Sequence, residues 1–125
     1  MVGTGTLAPE LIKAHCAVRP IKKVLVWGRN SLKAMEIQKQ LCHMEQDISV
    51  VNDLENAVRQ ADIISCATMS QESLIKGDWL TPGQHLDMVG AYRPDMREAD
   101  DNCVRRSRII VDNFDTAIRE TGDLK

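Results

Sequence analysis

Short apolar segments alternate with helical patterns along the chain, and this alternation limits the folds available to it. Five apolar segments have the length of strands, at residues 23–27, 48–51, 61–67, 84–89 and 108–111. Helical spacing of apolar residues predicts helices around and between them, at residues 6–18, 31–44, 52–60, 99–106 and 114–121. Strands that alternate with helices indicate an α/β fold, a doubly wound and mostly parallel sheet with helices on both faces.

The first eight residues carry a glycine turn that precedes the first predicted helix. Gly3 lets the backbone turn sharply, Gly5 leaves room for a phosphate to approach the backbone, and Ala8 completes a GxGxxA pattern. In a βαβ unit the amides at the start of the helix then face the pyrophosphate of a dinucleotide. The motif has low specificity by itself, and the alternative is a flexible tail that leads into the helix.

The residues at the end of the predicted strand at 23–27 indicate which dinucleotide would bind. NAD-binding domains place a carboxylate there to accept hydrogen bonds from the ribose hydroxyls. This sequence has Trp27, Gly28, Arg29 and Asn30 instead. A guanidinium can make a bidentate contact to a 2′-phosphate, so the sequence favours NADP(H) over NAD(H). The alternative is that Arg29 is only solvated at the end of a strand.

Two further loops follow strands that are expected to be neighbours in the sheet. Thr68 and Ser70 follow one predicted strand, and Val89, Gly90 and Ala91 end the next. The carboxyl ends of parallel strands lie at one edge of a sheet, so both loops can reach the nicotinamide half of a cofactor. Gly90 suits a close approach, although it can also be an ordinary turn glycine.

The composition indicates a single small-molecule-binding domain covering residues 1–125. Charges nearly balance at −2 without a basic cluster, so nucleic acid and anionic membranes are not expected ligands. Cys16, Cys42, Cys66 and Cys103 are spaced singly, which predicts reduced, buried thiols and no metal site. No apolar run approaches the ~20 residues that span a bilayer, and no secretory signal is evident. We therefore expect a soluble, cytoplasmic protein.

Three segments carry a more specific signal: VWGRN at residues 26–30, ADIISCAT at 61–68 and VGAYRPDMRE at 89–98. Together they resemble the ornithine cyclodeaminase/mu-crystallin family, and the GAYRPDMRE loop is the most specific part. The resemblance covers essentially the whole chain. It implies a Rossmann-like nucleotide-binding domain truncated at strand 1, a fragment of a longer protein whose substrate and dimerisation domain lies outside residues 1–125.

The resemblance also implies which residues contact the dinucleotide. Gly3, Gly5, Thr6 and Leu7 match the pyrophosphate turn, although the family commonly has glutamine where Leu7 stands. Arg29 and Asn30 match contacts to the 2′-phosphate, and Ala67, Thr68, Val89 and Ala91 match positions along the dinucleotide. The lysine and arginine that hold the substrate carboxylate in the family come from a flanking region. No catalytic residue is therefore assigned.

One departure from the family pattern bears on the reaction. Ornithine cyclodeaminases carry an aspartate two residues after the loop glycine, where this sequence has Tyr92. The loop is more similar to that of the branch that reduces cyclic imino acids, such as Δ1-pyrroline-2-carboxylate and related ketimines, with NADPH. The resemblance therefore implies the NADP(H)-binding domain of an oxidoreductase, a cyclic imino acid or amino acid as the small-molecule partner, and a possible homodimer. The alternatives are an ornithine cyclodeaminase-type lyase and a non-catalytic nucleotide-binding module.

The central strand of such a sheet is almost missing, because the glycine turn begins at Gly3. The family's strand order, 3-2-1-4-5-6, places strand one in the middle, and its loss would leave backbone groups of its neighbours unpaired. Three outcomes are consistent with the sequence. A stub from Met1 and Val2 fills the gap, an edge from another copy fills it, or the sheet is partly disordered.

Overall fold

The computed structural model describes residues 1–124, and its strands are all parallel. The four strands are β1 (Lys23–Val26), β2 (Asp47–Val50), β3 (Ile63–Cys66) and β4 (His85–Met88). β1 pairs with β2, with Val24 opposite Ile48, and β3 pairs with β4, with Ile64 opposite Leu86. Four of the five strands predicted from the sequence are therefore confirmed.

Val2 joins the two strand pairs into one sheet. It forms parallel bridges to both Trp27, directly after β1, and Cys66 at the end of β3. The Val2 amide donates to the Ser65 carbonyl oxygen at 2.7 Å, and the Ala67 amide donates to the Val2 carbonyl oxygen at 2.9 Å. The spatial order is thus β2, β1, Val2, β3, β4. The stub of Met1 and Val2 is the one of the three outcomes that the structure adopts.

Residues 1–124 form five α-helices: α1 (Leu7–Val18), α2 (Ser31–Gln40), α3 (Leu54–Gln60), α4 (Asp101–Arg106) and α5 (Phe114–Glu120). Asn30 caps α2, because its side-chain oxygen accepts a hydrogen bond from the Leu32 amide at 3.0 Å. The helix predicted to begin at residue 52 begins at Leu54. Asp53 caps it by accepting a hydrogen bond from the Asn56 amide at 3.0 Å. Within residues 1–124, no helix combines the length and apolarity needed to cross a membrane.

The hydrophobic core lies on both faces of the sheet, which confirms the doubly wound arrangement. One cluster packs α1 and α2 against β1 and β2 around Val26 and Leu41, which are both fully buried. The other packs α3 and α4 against β3 around Ile64, Cys66 and Ile75. Successive strand side chains point to opposite faces. Parallel strands covered on both faces in this way form the Rossmann-like arrangement.

The fifth predicted strand, residues 108–111, is wrong. Its β-branched residues favour an extended backbone, but the segment makes no strand pairing within the described chain. Ile110 is 81% exposed, and a cavity of about 1150 Å³ separates the segment from the edge of β4. A strand requires both residues that favour an extended backbone and a neighbouring strand to pair with, and residues 108–111 have only the first.

A second, apolar cavity of about 530 Å³ lies between β1 and β3 beyond Val2. It is lined by Ile12, Cys16, Leu25 and Ile63 among others, at the amino ends of the strands. The loops that the sequence associates with a dinucleotide are at the opposite, carboxyl end. This cavity is therefore not the candidate site.

Candidate functional site

The candidate site is the edge of the sheet where the strands end. Because the strands are parallel, the N-terminal turn and the loops after β1, β3 and β4 all lie at this edge. Open α/β sheets bind ligands in the crevice outside the carboxyl ends of their strands. The contacts between these loops determine which of the predicted residues come together.

Gly3 connects the N-terminal turn to the loops after β1 and β3. Its φ is +112°, a left-handed conformation that favours glycine. Its amide donates to the Trp27 carbonyl oxygen at 2.9 Å, and a Cβ at this position would lie 2.5 Å from the Ala67 carbonyl oxygen. Only a glycine fits this close approach, so the turn packs directly on the strand ends.

The space beside Gly5 is open. A Cβ built on Gly5 would meet no atom within 4 Å, and Gly5, Thr6 and Leu7 are all exposed. Thr6 is the N-cap residue of α1, and its side chain does not cap the helix. The start of α1 therefore has room for an anionic group beside its first amides, where the partial positive charge of the helix is concentrated. These residues fit the pyrophosphate of a dinucleotide.

The loop after β1 reaches the N-terminal turn through Gly28. A Cβ on Gly28 would lie 2.5 Å from the methyl group of Thr4, so the two segments are in van der Waals contact. The next two residues, Arg29 and Asn30, are exposed. None of the ion pairs formed within residues 1–124 includes Arg29. The guanidinium is thus available to a ligand beside the turn. The Asn30 side-chain oxygen caps α2, and a contact to a phosphate would come from the N–H groups of the same amide.

The loops after β3 and β4 are in direct contact. A Cβ on Gly90 would overlap the backbone nitrogen and oxygen of Thr68. Gly90 is therefore required for packing between the two loops, which the sequence alone did not distinguish from approach to a cofactor. Val89 is 40% exposed at this edge, whereas Ala91 is buried.

A buried carboxylate holds these two loops together. Glu98 is fully buried, and its Oε1 accepts hydrogen bonds from the Thr68 amide at 2.6 Å and the Thr68 hydroxyl at 2.8 Å. Its Oε2 accepts from the Gly90 amide at 2.7 Å. The backbone of Glu98 is held in turn by Asp123, whose Oδ1 accepts from the amides of Glu98 and Ala99 at 2.8 and 3.0 Å.

The two buried carboxylates have perturbed acidities. Burial raises the pKa of Glu98 above its ordinary value, while the hydrogen bonds from Thr68 and Gly90 oppose that rise. Burial likewise raises the pKa of Asp123, opposed by the amides of Ala99 and Glu98. Sequence reasoning assigned no function to either residue. Glu98 is the last residue of the GAYRPDMRE loop, which drew attention to the segment, but nothing in the local pattern marks either carboxylate as buried.

Tyr92 lies at the outer margin of the site. It is 58% exposed, and its hydroxyl lies 3.9 Å from the sulfur of Met69, which is 68% exposed. The departure from the family pattern therefore places an exposed Tyr–Met pair, rather than a carboxylate, beside the loops that follow β3 and β4.

The cysteines do not form a common site. Cys66 and Cys103 are buried as expected. Cys42 is exposed and Cys16 is only partly buried, so the expectation of buried thiols is wrong for these two residues. Burial raises the pKa of the Cys66 thiol well above its ordinary value and that of the Cys103 thiol to about 12. Both thiols therefore stay protonated at neutral pH. Within residues 1–124, no three His, Cys, Asp or Glu side chains are grouped as metal ligands would be.

Comparison with known proteins relates the whole chain to one family. A model of the ornithine cyclodeaminase/mu-crystallin family matches residues 1–125. The chain is 43% identical to a Δ1-pyrroline-2-carboxylate reductase of Paracoccus denitrificans, over 99% of this chain and 40% of that protein. It is 37% identical to the ketimine reductase mu-crystallin of Mus musculus, over 99% of this chain and 39% of that protein.

A solved structure has the same fold. It is the Δ1-pyrroline-2-carboxylate reductase of Thermococcus litoralis in complex with NADH and L-proline, with a TM-score of 0.89 and 34% identity. The match covers 98% of this chain and 38% of that one. The chain thus spans about two fifths of the length of the relatives that it matches.

Proposed function

The chain belongs to the ornithine cyclodeaminase/mu-crystallin family, and from that premise we propose that it binds a nicotinamide dinucleotide at the carboxyl ends of its strands. We propose NADP(H) rather than NAD(H) as the preferred form. The observation that carries the proposal is the contact of the N-terminal turn with the loops after β1 and β3, through Thr4 and Gly3 respectively. Gly5 follows these two contacting residues directly, and Arg29 and Thr68 lie in the two loops that they contact.

Each part of the edge has a distinct role in this proposal. The pyrophosphate would be held at the start of α1 by the exposed residues Gly5, Thr6 and Leu7. Gly5 has no Cβ, which leaves space for the phosphate groups. The exposed Arg29 guanidinium would contact the 2′-phosphate on the adenosine side. The loops that contain Thr68 and Gly90 would border the nicotinamide half.

The reaction that this domain serves is proposed from its relatives. Relatives of the chain include a Δ1-pyrroline-2-carboxylate reductase and a ketimine reductase, and we propose a cyclic imino acid as the substrate. The bound dinucleotide would supply the hydride, and the residues of this chain would bind and orient it. Tyr92 stands where the cyclodeaminases of the family have an aspartate, which supports reduction over cyclodeamination.

Binding and turnover are separable for this chain. It spans about two fifths of the relatives' length, and the family resemblance implies that the lysine and arginine that hold the substrate come from a flanking region. We therefore expect residues 1–125 alone to bind NADPH without oxidising it when Δ1-pyrroline-2-carboxylate is added. Turnover, followed by NADPH absorbance, would contradict this expectation and assign catalytic groups to the domain itself.

The test of the cofactor proposal is a fluorescence titration of the chain with NADPH and with NADH. We expect tighter binding of NADPH, and we expect Arg29→Ala to weaken NADPH binding by roughly tenfold or more, since a charge-assisted hydrogen bond contributes about 1.5–3 kcal/mol. NADH binding should change little. Arg19→Ala is the matched control, because Arg19 is also exposed but follows the far end of α1, where it bonds the Val18 carbonyl oxygen. Tighter binding of NADH, or equal losses for both cofactors after Arg29→Ala, would contradict the proposal.

A further inference from the structure

Glu98 connects the two loops that border the nicotinamide side of the proposed site. The residue precedes α4 and is fully buried. One carboxylate oxygen accepts two hydrogen bonds from Thr68, after β3, and the other accepts one from the Gly90 amide, after β4. A single side chain thus determines the separation of the two loops.

The chemistry of the contact requires a carboxylate. All three groups that face the two oxygens are donors, namely two backbone amides and a hydroxyl. A carboxylate accepts on both oxygens, whereas a glutamine amide would place its own N–H groups against one set of donors. Burying a charge is costly unless it is well hydrogen-bonded, and a purely apolar contact between the loops would avoid that cost. A buried carboxyl group at this position therefore points to a requirement for loop geometry rather than for stability alone.

The anchoring of Glu98 supports the same conclusion. Asp123, which is 3% exposed, accepts from the Glu98 and Ala99 amides and so fixes the backbone from which the Glu98 side chain extends. Gly90 has no side chain to keep it apart from Thr68, and the two loops are in direct contact at this point. A change in the Glu98 carboxylate is therefore transmitted to both loops at once.

We propose that Glu98 is a positioning residue that holds the loops after β3 and β4 in the conformation that binds the nicotinamide half of the dinucleotide. This role rests on the proposed function. Within residues 1–124, the side chain of Glu98 forms no hydrogen bond with the N-terminal turn or with Arg29. Its direct hydrogen bonds therefore lie with the two loops on the nicotinamide side.

The experiment compares a whole dinucleotide with a ligand that lacks nicotinamide. Wild type and Glu98→Gln are titrated with NADPH and, separately, with 2′-phospho-ADP-ribose by calorimetry. We expect Glu98→Gln to raise the Kd for NADPH by about tenfold, the effect of leaving the binding conformation of the two loops populated in about one molecule in ten. The Kd for 2′-phospho-ADP-ribose should change by less than about twofold, since its contacts lie at Gly5 and Arg29. Glu72→Gln is the matched control, because Glu72 is exposed in the same loop as Thr68.

The outcomes separate this inference from the proposed function. Equal losses for both ligands, or no loss for either, would overturn the role of Glu98 while leaving dinucleotide binding intact. Failure of the wild type to bind either ligand would overturn the proposed function and this inference with it. Glu98→Asp keeps the charge but is one methylene too short to reach both loops, and we expect the same selective loss of NADPH binding. It supplies the comparison if Glu98→Gln does not fold.

Discussion

The close packing of Gly3 predicts a large loss of stability from a single methyl group. Residue 3 has a left-handed backbone with φ of +112°, which the alanine in Gly3→Ala would have to adopt. Its new Cβ would lie 2.5 Å from the Ala67 carbonyl oxygen. The left-handed conformation costs roughly 1–2 kcal/mol for a residue with a Cβ. The overlap is with backbone, which cannot rotate away, and overpacking of this kind adds roughly 1–3 kcal/mol. We expect the free energy of unfolding to fall by about 2–5 kcal/mol.

The chain contains a control that separates the two contributions. Gly83 also has a left-handed φ, +92°, but a Cβ there would meet no atom within 4 Å. Gly83→Ala should therefore lose only the conformational part, roughly 1–2 kcal/mol. Urea unfolding followed by tryptophan fluorescence measures both variants, and an unchanged m-value ensures that the free energies are comparable. Equal losses in the two variants would refute the close packing of the N-terminal turn on Ala67.

Two further predictions concern Gly5 and Asp100. Gly5→Ala should leave the free energy of unfolding unchanged or raise it by about 0.4–1 kcal/mol, because no atom lies within 4 Å of the new Cβ. The same methyl group should weaken NADPH binding about tenfold or more, since it occupies the space for the pyrophosphate. Unchanged binding in the titration would place the pyrophosphate elsewhere. Asp100 accepts from the Gly77 and Cys103 amides at 2.9 and 3.0 Å, and although burial acts to raise its pKa, these hydrogen bonds lower it below the ordinary value. Its contribution to stability is therefore present above the unfolded pKa of about 3.9 and lost as the pH falls through the lowered folded pKa. Asp100→Ala should lower the free energy of unfolding by about 1–3 kcal/mol at neutral pH. Asp100→Asn should make stability depend less on pH in acid, which urea midpoints across the acid range would measure. A loss of stability as steep as in the wild type would contradict the role of the Asp100 carboxylate.

Most of the fold could be predicted because its signals are local. The strands around Val24, Ile48, Ile64 and Leu86 lie in short apolar segments between helical patterns, and all four pair in parallel as the alternation indicates. Residues 108–111 have the same local signal without the same outcome, since pairing depends on an edge that the segment does not reach. A strand is thus predictable from its own residues only where the sheet supplies its neighbour.

The residues of the candidate site also differ in how far the sequence predicts them. The glycine turn and Arg29 were predictable because they follow strands at recognisable spacing, and the contact of Gly28 with Thr4 brings them to the same edge. Asn30 shows what the spacing alone does not reveal. Its side-chain oxygen accepts from the Leu32 amide and so caps α2, while the predicted phosphate contact would use the donor N–H groups of the same side chain. One residue at the start of a helix can therefore serve the cap and still be a candidate ligand contact.

Glu98 and Asp123 could not be predicted because their partners are distant in the sequence. Glu98 is 30 residues from Thr68, and Asp123 is 25 residues from Glu98. An acidic residue in a loop is expected to be exposed, and no periodic pattern contradicts that expectation at either position. The loops after β3 and β4 meet where the strands have ended, so the Thr68 and Gly90 amides have no strand partner. The Glu98 carboxylate accepts hydrogen bonds from both amides in place of a strand. The same amides that end the sheet thus create the demand for a buried carboxylate, and that carboxylate in turn fixes the shape of the edge at which we propose the dinucleotide binds.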